Sequence, residues 1–210
     1  RENERLRQLL DSTARVGSRA LVAEILAVDL DPYRQRFELN RGLVDGVYIG
    51  QALIDAEGVV GQIVRVGPLT SEALLITDAD HAVPVSVNRN GLRTIAVGTG
   101  DSGRLRLPYL TNNASIVVGD LLISSGLGGV FPSGYPVGRV VEVTLRPERA
   151  FAEVLAEPVS ALDRDREVLL VFNAPEGEPQ AALPATAARW GRATISPSVS
   201  SRRTASRIGM

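Results

Sequence analysis

From Ala20 to Phe172 the chain alternates short apolar runs with punctuation by Gly, Pro, Asn and Asp. Runs of this kind, four to eight residues long and bounded by turn formers, predict β-strands. The candidates are Arg36–Asn40, Ala52–Asp55, Gly61–Val66, Leu74–Thr77, Leu105–Tyr109, Asp120–Ser124, Gly138–Leu145, Ala152–Ala156 and Glu167–Phe172. Arg19–Val28 reads either way, and the Asp29–Pro32 turn that follows it favours a strand. Asn90-Gly91 sits between two alternating runs and predicts a two-residue hairpin turn. That register sets Arg89 opposite Leu92, Val87 opposite Thr94 and Val85 opposite Ala96. One face then carries Val83, Val85, Val87, Leu92, Thr94 and Ala96, which is core chemistry. Many short strands at near-regular spacing predict an all-β chain built as barrel or sandwich.

An internal similarity supports two related β-units. Val60-Gly-Gln-Ile-Val-Arg-Val66 matches Val137-Gly-Arg-Val-Val-Glu-Val143, and the entries Gly50-Gln-Ala-Leu-Ile54 and Gly119-Asp-Leu-Leu-Ile123 match as well. The two offsets differ by eight residues, so the second copy holds an insertion between the matched segments.

The flanks have another texture. Residues 1–18 favour helix, with Leu6, Leu9, Thr13 and Val16 at the spacing of a coiled-coil seam. So short a helix is marginal alone, which suits the end of a longer coiled coil that pairs two copies; packing on its own domain is the competing expectation. Residues 174–210 are rich in Pro, Ala, Ser and Arg without sustained periodicity, and read as a disordered tail. The chain opens at Arg1, without an initiator Met, which implies that upstream residues were removed. No stretch reaches the roughly 18 consecutive apolar residues of a membrane helix.

Composition narrows the chemistry. The 210 residues contain no Cys, and every basic residue is an arginine. Thiolate and Schiff-base chemistry are therefore excluded, and the P-loop motif fails for want of lysine. The net charge of −1 divides into a +5 tail from Pro179 and a −6 remainder. A weakly acidic body with few aromatics argues against nucleic acid. The arginine tail could instead serve a wall-polymer-binding module.

Three motifs imitate active sites. Gly100-Asp-Ser-Gly103, with His81 and Asp78 upstream, resembles the loop of a chymotrypsin-like serine nucleophile. However, Arg104 replaces the next glycine, and only 21 positions, filled by the hairpin, separate His81 from Ser102. Gly98–Gly103 also fits a dinucleotide fingerprint, but an alternating run ending in Pro108 follows where a helix is required. Asp78, Asp80 and His81 lack the further ligands of a metal site. No catalytic, cofactor-binding or metal-binding residue is assigned; a degenerate serine hydrolase is the alternative reading.

The segment Gly119-Asp-Leu-Leu-Ile-Ser-Ser-Gly-Leu-Gly-Gly-Val-Phe-Pro-Ser-Gly-Tyr-Pro-Val-Gly138 resembles the signature of the rod shape-determining MreC family. Glu2–Arg7, Asn40–Val47, Gly58–Gly61, Leu75–Asp78 and Pro84-Val85 follow in that family's order, so the resemblance covers roughly residues 1–173. It implies a coiled-coil end (1–18), two small β-barrel domains (19–98 and 99–173) and no counterpart for the tail. The last strand, near 167–172, either closes the second barrel or returns to the first. It also implies a non-enzymatic scaffold of wall elongation, anchored in the bacterial inner membrane by an upstream helix, with its barrels on the extracytoplasmic, periplasmic side. The partners implied are MreD, RodZ, the elongation-specific penicillin-binding transpeptidase and further copies of itself, with no cofactor. Residues carried over as structural are Gly42, Asp45, Gly46, Gly61, Asp78, Gly119, Asp120, Ser125, Gly126, Pro132, Gly134, Pro136 and Gly138. The residues expected to meet partners are Tyr135, Phe131, Tyr109 and Leu127. Tyr135 and Tyr109 suit a wet rim because their hydroxyls tolerate water. Phe131 either anchors a partner or plugs a barrel end.

Overall fold

The computed structural model describes residues 19–31, 34–101, 103–146, 148–160 and 166–172. The helix end expected over 1–18, with Leu6, Leu9 and Val16, and the tail expected over 174–210 lie outside the described residues. Twelve strands form: β1 (Ala20–Asp31), β2 (Arg34–Leu39), β3 (Ala52–Ile54), β4 (Val59–Val66), β5 (Ser71–Leu75), β6 (Ala82–Val87), β7 (Arg93–Gly98), β8 (Leu105–Arg106), β9 (Leu121–Ser124), β10 (Pro136–Thr144), β11 (Glu153–Pro158) and β12 (Glu167–Val171). They close into two antiparallel six-stranded barrels, ordered β1-β12-β3-β4-β5-β2 and β10-β11-β8-β7-β6-β9.

The expected boundary at 98/99 is corrected. The hairpin β6–β7 pairs with β9 and β8, inside the second barrel, so the chain crosses between barrels at residues 76–81. β12 returns to the first barrel, between β1 and β3. The two barrels then share one topology. In the second, six consecutive strands β6 to β11 close the ring. In the first, β12 takes the place that β6 holds, ahead of β1 to β5.

The sequence repeat maps onto this equivalence. The Gly50 N–H donates to the Ile63 carbonyl at 2.8 Å, and the Ile63 N–H donates to the Gln51 carbonyl at 2.9 Å. Gly119, Val140 and Asp120 repeat the pattern with the same two distances. Both glycines stand at φ near +90° (91° and 92°), a backbone conformation that side chains resist. A β-bulge interrupts β4–β5 between Ile63 and Arg65, and another interrupts β10–β11 between Val140 and Glu142. These are matching positions of the repeat. Gly61 and Gly138 also correspond: a Cβ would lie 2.2 Å from the Leu74 carbonyl oxygen in one and 2.8 Å from that of Glu157 in the other.

The Asn90-Gly91 hairpin forms with a register two residues away from expectation. Val85 faces Thr94 and Val83 faces Ala96, and the Gly91 N–H returns to the Val87 carbonyl at 2.8 Å. The connection is therefore a four-residue loop rather than a two-residue turn. A shift of two keeps every side chain on its face, and Val83, Val85, Val87 and Ala96 are buried as expected.

Burial explains the apolar runs. Leu53, Val168 and Leu170 point into the first barrel's interior with Phe37, Leu39 and Leu75. Their neighbours Ala52, Ile54, Leu169 and Val171 belong instead to one continuous core with the second barrel's interior. β3 and β12 are thus buried on both faces, which is why Val-Leu-Leu-Val reads as unbroken rather than alternating. Close backbone approach completes the joint. A Cβ on Gly98 would lie 1.9 Å from the Asp78 carbonyl oxygen, and one on Gly58 would lie 2.3 Å from that of Pro136. The Ser160 hydroxyl donates to the Val59 carbonyl at 2.7 Å.

Candidate partner-docking surface

The signature loop connects β9 to β10 and is fastened chiefly by one residue, Ser124. The Ser124 N–H donates to the Tyr135 carbonyl (2.7 Å), and the Gly134 N–H returns to the Ser124 carbonyl (2.8 Å). The Ser124 hydroxyl accepts from the Tyr135 N–H at 3.0 Å and donates to the Pro132 carbonyl. Ser125 donates from its N–H to the Pro84 carbonyl. Gly126 and Gly134 adopt φ of 74° and 86°, which lets the chain double back. Pro132 and Pro136 restrict it further.

So held, the loop turns its aromatic residues inward. Phe131 is 3 % exposed and Tyr135 8 % exposed, both within the core that reaches the second barrel's interior. Phe131 is therefore the plug of a barrel end. Tyr135 is corrected from its expected place on a wet rim, because it is packed into the interior core. Leu127, at the apex beside Gly128 and Gly129, is half exposed. Tyr109 is exposed as expected, but it sits on the β8–β9 connection, which leaves the opposite end of the same barrel. The four residues grouped from sequence thus fall into an interior pair and two separate exposed points.

The first barrel carries an apolar tip that sequence reasoning missed. Its 3-10 turn, Leu43–Asp45, is pinned at both ends. The Asp45 carboxylate accepts the Gly42 N–H at 3.0 Å, and Gly46 closes the turn with φ 84°. Leu43 and Val44 donate their N–H groups to the carbonyls of Gly67 and Pro68. A Cβ on Gly42 would meet the backbone of residues 67–69 at 2.6–2.7 Å. The outcome is a rigid turn with Leu43 69 % and Val44 71 % exposed, and with the equally exposed Leu69 on the adjoining turn. The available signal was Gly-Leu-Val-Asp-Gly, an apolar pair too short for a strand and bracketed by turn formers.

Two further motif residues are structural. Asp120 accepts Arg89 Nε at 2.8 Å and Nη2 at 2.9 Å, as well as the Val117 N–H at 3.0 Å. The Arg89 hydrogen bonds hold its carboxyl below the usual carboxylate range. Asp78 lies in the joint, accepting the N–H groups of Gln35 (2.8 Å) and Asp80 (2.9 Å).

The hydrolase alternative finds no support in this geometry. His81 is buried with neither ring nitrogen hydrogen-bonded. Its ring packs edge-on to Phe131, centroids 5.9 Å apart. Burial lowers its pKa to about 4, against a weaker opposing pull from Asp78. The Asp78 carboxylate is engaged by backbone N–H groups rather than orienting the imidazole, and Ser102 lies outside the described residues.

Comparison with known proteins agrees with the two barrels. A family model described as "Rod shape-determining protein MreC, barrel core" matches residues 25–172. Cell shape-determining protein MreC of Escherichia coli is 46 % identical over 173 residues, covering 82 % of this chain and 47 % of that protein. The chain spans about half the length of the curated relatives it matches. A crystal structure of MreC from Pseudomonas aeruginosa superposes with TM-score 0.71 at 51 % identity, covering 73 % of this chain and 99 % of that one. Two further structures share the fold at 20 % and 17 % identity. One is the major periplasmic domain of "the cell shape-determining filament MreC" (TM-score 0.61, covering 74 % of this chain and 97 % of that one). The other is a complex of penicillin-binding protein PBP2 and MreC from Helicobacter pylori (TM-score 0.58, covering 72 % and 96 %). With the family model running from within β1 to the residue after β12, across both barrels, this chain belongs to the MreC family of rod shape-determining proteins.

Proposed function

We propose that this chain is the extracytoplasmic scaffold portion of a wall-elongation complex, and that it works by binding rather than by chemistry. One observation carries the reading. The motif residues Gly42, Asp45, Gly46, Gly126, Pro132 and Gly134 sit in backbone turns, and those turns leave the large apolar side chains of Leu43, Val44 and Leu127 exposed. A rigid scaffold that offers aliphatic side chains from fixed loops is equipped to dock a protein. The transpeptidase docks at Leu127 on the signature loop; the Helicobacter complex, on the same fold, supports this choice of partner. MreD, RodZ and further copies of the chain are its other partners. The native protein reaches the inner membrane through an anchor ahead of this chain. Nucleic acid and cofactors have no part.

The test is the affinity of the 210-residue chain for the purified extracytoplasmic part of the transpeptidase, with Leu127→Asp as the probe. Saturable binding that weakens at least tenfold in Leu127→Asp, with unchanged melting, supports the reading. Absence of saturable binding by the wild-type chain overturns it.

A further inference from the structure

Each barrel has one end turned into the joint and one turned away. Because the strands alternate in direction, the β3–β4 turn leaves the joint end of the first barrel, and the β2–β3 and β4–β5 connections leave its outer end. The start of β1 lies at that outer end too. The Phe172 N–H donates to the Arg19 carbonyl at 2.8 Å. The Phe172 ring lies 6.2 Å from that of Tyr48, on the β2–β3 connection, and the Arg19 guanidinium stands 5.1 Å from its centroid. Everything upstream of Arg19 therefore joins the first barrel beside the turns that expose Leu43, Val44, Ile49 and Leu69.

These four side chains are each about two-thirds exposed (67–71 %), and they protrude from a rigid frame rather than line a groove. The Leu43 and Val44 N–H groups are held by the carbonyls of Gly67 and Pro68, so the pair cannot fold inward without breaking both bonds. Arginines surround the tip. Arg19 is exposed, Arg41 directly precedes the pinned turn, and the Arg65 side chain at the end of β4 is 75 % exposed. The nearest carboxylates are engaged within the chain: Asp45 by the Gly42 N–H, Glu24 by the Asn40 side chain, and Glu72 by Arg36 and Arg65. Glu38, opposite Glu72 in the β2–β5 ladder, lies back from the tip.

We infer that the outer end of the first barrel is a lipid-docking tip. It sets Leu43, Val44, Ile49 and Leu69 into the boundary between headgroups and acyl chains of an anionic bilayer, with Arg19, Arg41 and Arg65 at headgroup level. The inference rests on the upstream membrane anchor proposed above and names the part of the barrels that meets the same membrane. The occupant follows from shape, charge and position. A protein partner would need a matching hollow for each protruding side chain, whereas a bilayer yields to any convex apolar tip and rewards a collar of cations. The second barrel's outer end also exposes apolar side chains, Leu145 and Phe151 among them, but it faces away from the entry of the upstream segment. The four aliphatic side chains hold roughly as many carbon atoms as one myristoyl chain, which alone gives only reversible binding, about 10⁴ M⁻¹. The tip therefore docks firmly only when the chain is tethered, because the tether raises its effective concentration at the surface.

The 210-residue chain contains no cysteine, so one environment-sensitive dye can be placed at will. The test uses Leu69→Cys or Leu145→Cys carrying that dye. A histidine tag ahead of Arg1 tethers the chain to nickel-chelating lipid in vesicles of phosphatidylethanolamine and phosphatidylglycerol. The expected result is a blue shift and at least a twofold rise in emission at position 69 on tethering, quenched by a lipid-borne quencher, with position 145 unchanged. Adding Leu43→Asp/Val44→Asp, or the milder Leu43→Ser/Val44→Ser, should return position 69 towards its untethered emission. Both positions are exposed, so unchanged melting is the folding control. No response at position 69 overturns the inference. An equal response at position 145 shows non-specific adsorption and overturns it as well, as does a response that survives both double variants. A response that follows protein density on the vesicle and escapes the lipid quencher assigns the tip to another copy and overturns it too. The tag replaces the native anchor and no transpeptidase is present, so each of these failures leaves the scaffold reading to its own binding test.

Discussion

The only histidine shows how far one buried group can shift the molecule's stability. His81 is neutral in the folded chain, with its pKa lowered to about 4 from 6.5 by burial. The unfolded chain therefore binds the proton more readily between those values, so stability falls as pH drops from about 6.5 to about 4 and the penalty is complete below that. The shift corresponds to about 3 kcal/mol. His81→Leu should flatten this part of the pH profile, which denaturant unfolding at pH 7.5 and 4.5, compared between variant and wild type, measures. The ring's neighbour gives a companion test. Phe131→Ala should cost about 3–5 kcal/mol, as deletion of a buried aromatic ring does, and should lower the melting temperature rather than act only on partner binding. Both roles were half legible. That Phe131 could be a plug was readable from its size on a Gly/Pro-rich turn. The burial of Tyr135 was not, because it depends on Ser124 zipping the loop shut, a closure that local composition does not encode.

At the scale of the element, legibility followed the range of the interaction. Most strands were readable as apolar runs because period and punctuation are local, but β1 read either way and continues to Asp31, into the turn expected at Asp29–Pro32. The internal repeat was readable too, and its eight-residue insertion falls in the β9–β10 loop, the connection that in the first barrel is the short 55–58 turn. The Asn90-Gly91 register was misjudged because Gly91 bonds back to Val87 across four residues, an option the dipeptide alone does not exclude. The repeat also predicts which side chains hold equivalent turns. Gln51 and Asp120 correspond, and each accepts a backbone N–H three residues earlier, from Tyr48 at 3.3 Å and Val117 at 3.0 Å. Asp120→Ala strips the Val117 N–H and leaves Arg89 without its carboxylate, so a loss of about 1–3 kcal/mol is expected. The carboxyl's pKa is held down by Arg89, so this contribution is present above the ordinary aspartate range and disappears as pH falls through the lowered value. Asp120→Asn should remove that acid-limb difference while keeping most of the turn; melting curves between pH 3 and 7 distinguish the two variants.

At the scale of the whole molecule, β12 decides what can fold alone. The boundary expected at 98/99 assigned the hairpin around Asn90-Gly91 to the strands that precede it in sequence. Pairing overrules adjacency: β6 and β7 close the second barrel, and the first waits for a strand made some 90 residues after β5, from Leu75 to Glu167. Nothing local in Glu-Val-Leu-Leu-Val names its partners, although its burial on both faces fits an unbroken apolar run. A chain ended after Ser160 therefore lacks the sixth strand of its first barrel, and should lose that barrel's amide protection in hydrogen exchange. The geometry also supplies the repair. The Phe172 N–H donates to the Arg19 carbonyl at 2.8 Å, so the end of β12 lies beside the start of β1, as β6 lies beside β7 in the second barrel. Joining residues 166–172 through a four-residue turn to Arg19, in the chain that ends at Ser160, reproduces the β6–β7 arrangement at the head of the first barrel. The permuted chain should regain slow exchange in β1, β3 and β12, because the strand re-enters its own slot and loop closure over so short a turn is entropically cheaper than over the native separation. Failure to regain that protection, with the second barrel still intact, would mean that β12 must be delivered from the second barrel's side to complete the shared core.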